Sequence, residues 1–201
     1  MLLGMRLMDS PRPEQHYHQE HGRYLIEVNL GSIQQLFNSL DPSPFIEKDL
    51  DDDAARYIIE SAGDFHLKTP LKLVIQVPPH EEDGARATVA DAIHHYFGYM
   101  AVLASRELRF TLRQGRLALI IGLTFLFACI TAHGLVARVP DGAWAPILSE
   151  GLIIMGWVAM WRPLQIFLYD WWPIRRRKRV LEKLGRIEVE VRAATTPAAS
   201  D

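Results

Sequence analysis

A single cysteine, Cys129, in 201 residues excludes an intrachain disulfide framework and a zinc ribbon built on cysteines. The chain also lacks a glycine-rich phosphate loop, a GxSxG nucleophile elbow and an HExxH helix, so no motif names a reaction or a cofactor. No internal repeat is found, which sets aside solenoid and propeller architectures. The opening MLLGMRLM is too short an apolar run for a cleavable signal peptide, and none is expected. Little acid is found in the second half of the chain and little base in the first. Residues 1–100 carry 8 Lys/Arg against 16 Asp/Glu, a balance of −8, whereas residues 101–201 carry 14 against 8, a balance of +6. The overall charge of −2 and the mean hydropathy near zero are therefore averages over two unlike halves. With 49% hydrophobic residues the chain is too apolar to stay unfolded. Its length suits one ordinary domain, or a small domain plus a membrane element.

The run Leu117–Val136, LALIIGLTFLFACITAHGLV, has no formal charge when His133 is neutral. Twenty residues at about 1.5 Å each span about 30 Å, the thickness of a hydrocarbon core, which predicts a transmembrane helix. A second apolar run follows the short loop ARVPDGAWAP, with Pro146 suited to a first helical turn. From Ile147 to Tyr169 it is interrupted by Glu150, Arg162 and Gln165. Arg162 has a stem long enough to snorkel toward headgroups, and Pro163 should kink the helix. Trp161, Tyr169, Trp171 and Trp172 resemble an interfacial aromatic belt. The second span ends near Arg162, with an interfacial helix beyond, or continues to Tyr169. Either reading gives a two-helix hairpin.

Basic residues flank the hairpin on one side. Arg106, Arg109, Arg113 and Arg116 precede the first span, and Arg175, Arg176, Arg177, Lys178 and Arg179 follow the second, while the loop offers only Arg138. The positive-inside rule then predicts a multi-pass protein of the bacterial inner membrane with both termini cytoplasmic. Beside apolar spans, these arginines fit anionic lipid headgroups better than nucleic acid.

Outside the hairpin, three segments alternate at period two. These are Tyr24, Ile26, Val28 and Leu30; Leu71, Leu73, Ile75 and Val77; and Ile187, Val189 and Val191, with Glu188, Glu190 and Arg192 outward. Ser32 and Gln35 form a capping box ahead of a helix carrying Ile33, Leu36, Phe37 and Leu40. It should stop at the prolines of DPSPF. A second helix begins near Asp51 and packs Ala55, Ile58, Ile59 and Ala62. A long helix starts near Ala85 with the stripe Val89, Ile93, Tyr96, Phe97, Met100 and Leu103 or Ala104, turns basic from Arg106, and has a weak point at Gly115. The predicted fold is α+β: about three strands packed with helices, plus the hairpin. The expected organisation is a flexible polar leader (1–22), a cytoplasmic domain with the long helix (23–116), the hairpin (117–172), a basic helix and closing strand (173–192) and a disordered tail (193–201). Two strands alone would be marginal, so the last strand is expected to join the same sheet.

Several constellations invite chemistry. Asp49, Asp51, Asp53 and Glu60 match positions one, three, five and twelve of a calcium loop, but Ala54 replaces the required glycine. Carboxylates at a helix start, favoured by its free N–H groups, explain the cluster instead. His16, His18 and His21 sit in the polar leader with nothing to preorganise a metal. His94 and His95 are adjacent on a helix and point apart, His95 toward the packed stripe. Cys129 is a small filler within the first span. His133 and Glu150 fall at similar depth in an antiparallel hairpin and are a candidate intramembrane pair. No catalytic, cofactor or metal residues are assigned.

Two segments, SLDPSPFIEKDLDDDA and EGLIIMGWVAMWRPLQIFLYDWWPIRRRKR, resemble a family of uncharacterised bacterial two-helix inner-membrane proteins. The resemblance covers roughly Arg23 to Arg192. It implies an inner-membrane setting and carries no activity. The expected role is a non-enzymatic accessory or scaffold protein. The membrane-interface residues are Arg106, Arg109, Arg113, Arg116, Trp161, Arg162, Trp171, Trp172, Arg175, Arg176 and Arg177. The candidate partner surface is Asp41, Pro42, Ser43, Pro44 and Phe45 with Asp51, Asp52 and Asp53. Expected partners are a bilayer with anionic headgroups, a protein, and further copies of the chain. The alternatives are a membrane-anchored enzyme and a subunit of a larger transporter.

Overall fold

The computed structural model describes residues 17–38, 49–80, 82–138 and 144–194, with the backbone alone for 82–87. The fold is mixed α+β, with a four-stranded sheet and two long apolar helical stretches. The chain forms two compact units, one from the chain up to Val102 and from Lys178 on, the other from Leu103–Arg177.

In the first unit the strands are β1 (Gln19–Glu20), β2 (Arg23–Asn29), β3 (Leu71–Val77) and β4 (Glu188–Ala193), in that spatial order. β1 meets β2 antiparallel through a two-residue turn in which His21 (φ 48°) and Gly22 (φ 76°) are both left-handed. Such a turn matches the twist of the strands it joins, and glycine enters this region without steric cost. This corrects the expected leader over 1–22, whose last residues are folded. Tyr17 packs edge-on against Phe65 with ring centroids 4.8 Å apart and donates to the Asp64 carboxylate at 3.1 Å. A two-residue strand is too short to leave a periodic signature.

β2, β3 and β4 run parallel, so the last strand does join the sheet. Ile26 aligns with Leu73 and Val189, and Val28 with Ile75 and Val191, which makes one face continuously apolar. Right-handed crossovers between successive parallel strands put their helices on a common side. α1 (Asp52–Gly63) lies between β2 and β3 and buries Ala55, Ile58 and Ala62. Between β3 and β4 come α2 (Glu82–Val136) and α5 (Trp171–Leu184). α2 buries Val89, Ala92, Ile93 and Phe97, and α5 buries Val180, Leu181 and Leu184. A Cβ on Gly185 would lie 3.3 Å from the Gly98 backbone nitrogen, so glycine lets the chain pass closely there. The helix expected over Ile33 to Leu40 is only a 3-10 turn, Ile33–Leu36. Ser32 caps Gln34 N–H at 3.3 Å, Gln35 accepts from Gly31 N–H at 2.9 Å, and Phe37 then pairs with Leu50. The cap motif is used, but extended pairing replaces the next helical turn.

The second unit holds the remainder of α2, then α3 (Ala145–Ala159), α4 (Trp161–Gln165), a π-helical turn (Ile166–Asp170) and the start of α5. α2 runs unbroken through Gly115, which is therefore not the weak point expected. The following helical stretch is interrupted at Met160 and widens at Ile166, on either side of Pro163, whose ring cannot donate to the Ala159 carbonyl. Only 11% of the most apolar stretch of α2, and 17% of that in the following helices, is buried within the protein.

Candidate functional site: a small-residue seam and its charged ends

Gly115, Gly122 and Cys129 recur every seven residues on α2, and Ser149, Gly156 and Pro163 recur every seven along the returning helices. All six are buried while large neighbours such as Phe127, Ile147, Trp157 and Trp161 point outward. A seven-residue repeat keeps one face of a helix on its partner along a left-handed crossing. The glycines mark the line of contact. A Cβ on Gly156 would lie 2.8 Å from Leu126 Cδ1 and 3.3 Å from Cys129 Cβ. One on Gly122 would lie 3.0 Å from the Ala159 carbonyl oxygen, the acceptor freed by Pro163. One on Gly115 would meet Ile166 at 2.8 Å and Phe167 at 3.1 Å. Cys129 is thus a packed filler, as its place in an apolar run suggested. The substitution Gly156→Cys should place two sulfurs on β-carbons about 3.3 Å apart. That is close to the spacing a disulfide needs. Mild oxidation of this variant is expected to join Cys129 to the introduced thiol within one chain, read as a mobility shift reversed by reductant.

At one end of the seam His133 Nδ1 lies 2.5 Å from Ser149 Oγ and 3.2 Å from the Ser149 carbonyl oxygen. The anticipated partner, Glu150, is one residue farther round the helix and exposed. The correction is one of helical phase. Depth alone placed Glu150 opposite His133, but a step of one residue turns a side chain through about 100°. Thr124 and Thr131 bond back to the Ile120 and Phe127 carbonyls at 2.8 and 2.7 Å.

At the other end Arg162 reaches the Asp170 carboxylate at 3.3 Å, across the π-helical turn. Trp171 donates its indole N–H to the Phe167 carbonyl at 2.7 Å, and the Arg175 guanidinium stacks over its ring at 5.5 Å. Trp161 and Trp172 are exposed, as are Arg106, Arg109, Arg113, Arg116, Arg176 and Arg177.

A second charged group lies on the other face of the sheet. Register aligns Leu25, Lys72 and Glu188, then Glu27, Val74 and Glu190, then Asn29, Gln76 and Arg192. Lys72 pairs with Glu188 at 3.2 Å and also with Glu190, and Arg23 pairs with Glu188. Arg192 grips both Glu20 oxygens at 2.9 and 2.6 Å and reaches Glu190 at 2.7 and 3.1 Å. His18 meets Glu27 at 2.7 Å, and that bond raises its pKa. Leu25 and Val74 are buried on this face. In the sequence these charges read only as a solvated strand face, because pairing of distant segments is what assembles them. Arg192, then Lys72, holds the Glu190 carboxyl down at about 2. The ionised form is therefore favoured by folding. Its contribution is complete above about pH 4.5 and fades as pH falls toward about 2, where the unfolded chain binds the proton first. Arg192→Gln is expected to flatten the fall of Tm between those pH values, with Lys72 retaining part of it.

Asp51 accepts from the N–H groups of Asp53 at 3.0 Å and Ala54 at 3.3 Å, and Asp52 and Asp53 occupy the first turn of α1. The acidic cluster is a helix cap. Asp41, Pro42, Ser43, Pro44, Phe45 and His16 lie outside the described residues. His94, and not His95, turns inward: its Nε2 lies 2.7 Å from the Ile187 carbonyl oxygen, and His95 is exposed. A cavity of about 610 Å³ opens where β2, β3 and β4 begin, lined among others by Arg23, Glu182, Lys183 and Glu188. Its carboxylates are engaged, Glu188 as above and Glu182 with Lys178 at 3.4 Å. Among the described residues no three His, Cys, Asp or Glu side chains converge as they would on a metal ion. Comparison with protein-family models, with curated proteins and with solved structures finds no match.

Proposed function

We propose that this protein is a membrane-anchored accessory or scaffold protein, its Leu103–Arg177 unit a two-pass hairpin and its α+β unit cytoplasmic. One observation carries the reading: burial in the hairpin is inverted. Glycine, serine and cysteine fill the inside, and Phe127, Ile147, Trp157 and Val158 cover the outside. Water-soluble proteins rarely expose such a surface, whereas close approach through small residues is how helices pair in lipid.

The contact of Gly115 with Ile166 and Phe167 supplies the depth scale. With the inner boundary at Arg116, the second crossing runs from Ala145 to about Ile166, between the two ends the sequence left open. It then spans about 33 Å. Arg162 lies about 6 Å along the helix inside that boundary and leans out to Asp170, which suits snorkelling. The arginines on both inner flanks, against Arg138 alone near the loop, support cytoplasmic termini. For the role itself, the support is the exposed acidic start of α1, together with cavity carboxylates that already hold salt bridges.

Extraction of native membranes at alkaline pH should leave the protein in the pellet. In a Cys129→Ala background, cysteine at Asp141 should react with an impermeant maleimide from outside, and cysteine at Asp91 only after permeabilisation. Release into the supernatant, or the opposite labelling pattern, overturns the anchor. A photocrosslinker at Asp52 should form one defined adduct with another protein in native membranes. An uncrosslinked monomer overturns the scaffold.

A further inference from the structure

The cavity at the start of the parallel strands is lined by two cations, Lys183 and Arg186, that pair with no carboxylate among the described residues. Lys183 is in the last turn of α5, and its ammonium donates to the Thr69 carbonyl at 2.6 Å, leaving two N–H bonds to place. Arg186, three residues on, forms no ion pair among the described residues. The bland explanation is that both complement the carbonyl end of α5. Three of that end's four carbonyls already have partners, since the Gly185, Arg186 and Ile187 N–H groups bond the Leu181, Lys183 and Leu184 carbonyls. Lys183 is also partly withdrawn from water, which lowers its pKa. A cation half-buried beside a cavity, with no anion of its own, is the arrangement a negatively charged ligand completes. At about 610 Å³ the space exceeds what a bare anion fills, and Leu71 and Ile187 give it an apolar wall.

We infer that this cavity binds a phosphate-bearing small molecule, its phosphate between Lys183 and Arg186 and its organic part against Leu71 and Ile187. A soluble phosphoester and the headgroup of a phospholipid offer the same chemistry. The inference does not depend on the membrane anchor, since all its residues belong to the α+β unit.

The test is amine acetylation of the full chain, read by mass spectrometry at Lys183 with Lys178 as internal control. In neutral detergent, millimolar glycerol 3-phosphate should slow labelling of Lys183 about fivefold against chloride at equal ionic strength, and leave Lys178 unchanged. Protection seen only in nanodiscs containing phosphatidylglycerol, and not in phosphatidylcholine discs, identifies the headgroup as the source. Protection in neither arm, or equal protection of Lys178, overturns the site. If Lys183 resists acetylation without ligand, phosphorus-31 line broadening of glycerol 3-phosphate decides. Broadening by the wild type that Arg186→Gln abolishes supports the site, and equal broadening by both overturns it.

Discussion

Gly156→Leu is expected to cost the hairpin about 3 kcal/mol, at the upper end of what overpacking a close contact does. The first added carbon would lie 3.3 Å from Cys129 Cβ and 3.6 Å from Leu126 Cα, atoms held by the helix backbone. Leu126 Cδ1, at 2.8 Å, can swing aside, but the backbone cannot, so the helices must separate. On the proposed placement lipid surrounds both helices, and no hydrophobic gain offsets lost van der Waals contact. Gly151→Leu on the same helix is the control, because a Cβ there meets nothing within 4 Å. The measurement is unfolding of the hairpin in detergent, with the disulfide of the Gly156→Cys variant as an independent report on the same contact. Equal stability of the two leucine variants would show that the seam is not the contact holding the helices.

Phe97→Ala should cost about 3–5 kcal/mol, the range for deleting a buried phenyl ring. Phe97 has no exposed surface, lies on α2 among the buried Ile93 and Ala101, and packs edge-on with Tyr96 at 5.3 Å between ring centroids. Against a usual total of about 5–15 kcal/mol, that leaves the sheet little margin. Hydrogen exchange at the β3 amides Leu73 to Ile75 should accelerate accordingly. A loss below about 1 kcal/mol would mean that the site refills on truncation.

What was legible in the sequence follows from which interactions are local. Strand alternation in Leu71–Val77, the carboxylates starting α1 and the apolar length of Leu117–Val136 are each written within one contiguous segment. Each corresponds to an element of that type. The parallel pairing of β2, β3 and β4, the grip of Arg192 on Glu20, and the meeting of His133 with Ser149 each join different elements of the chain. Nothing in local spacing specifies them. The seam is an intermediate case. Its seven-residue repeats are written in Gly115, Gly122 and Cys129, yet small residues in a greasy run read as filler until a facing helix brings Ser149, Gly156 and Pro163 opposite. The cavity was invisible for a further reason: Arg23 and Leu71 lie far in sequence from Lys183 and Arg186, and only the common starting edge of the strands gathers them.

The position of β4 has a consequence for biosynthesis. β3 ends at Val77 and its neighbour begins only at Glu188, so the ribosome must add about 110 residues before the sheet can close. At typical elongation rates that interval lasts about 5–20 s. Throughout it one side of β3 presents bare peptide groups, an edge that in other chains invites aggregation. The nascent polypeptide must therefore make its helical excursion first and complete its sheet last.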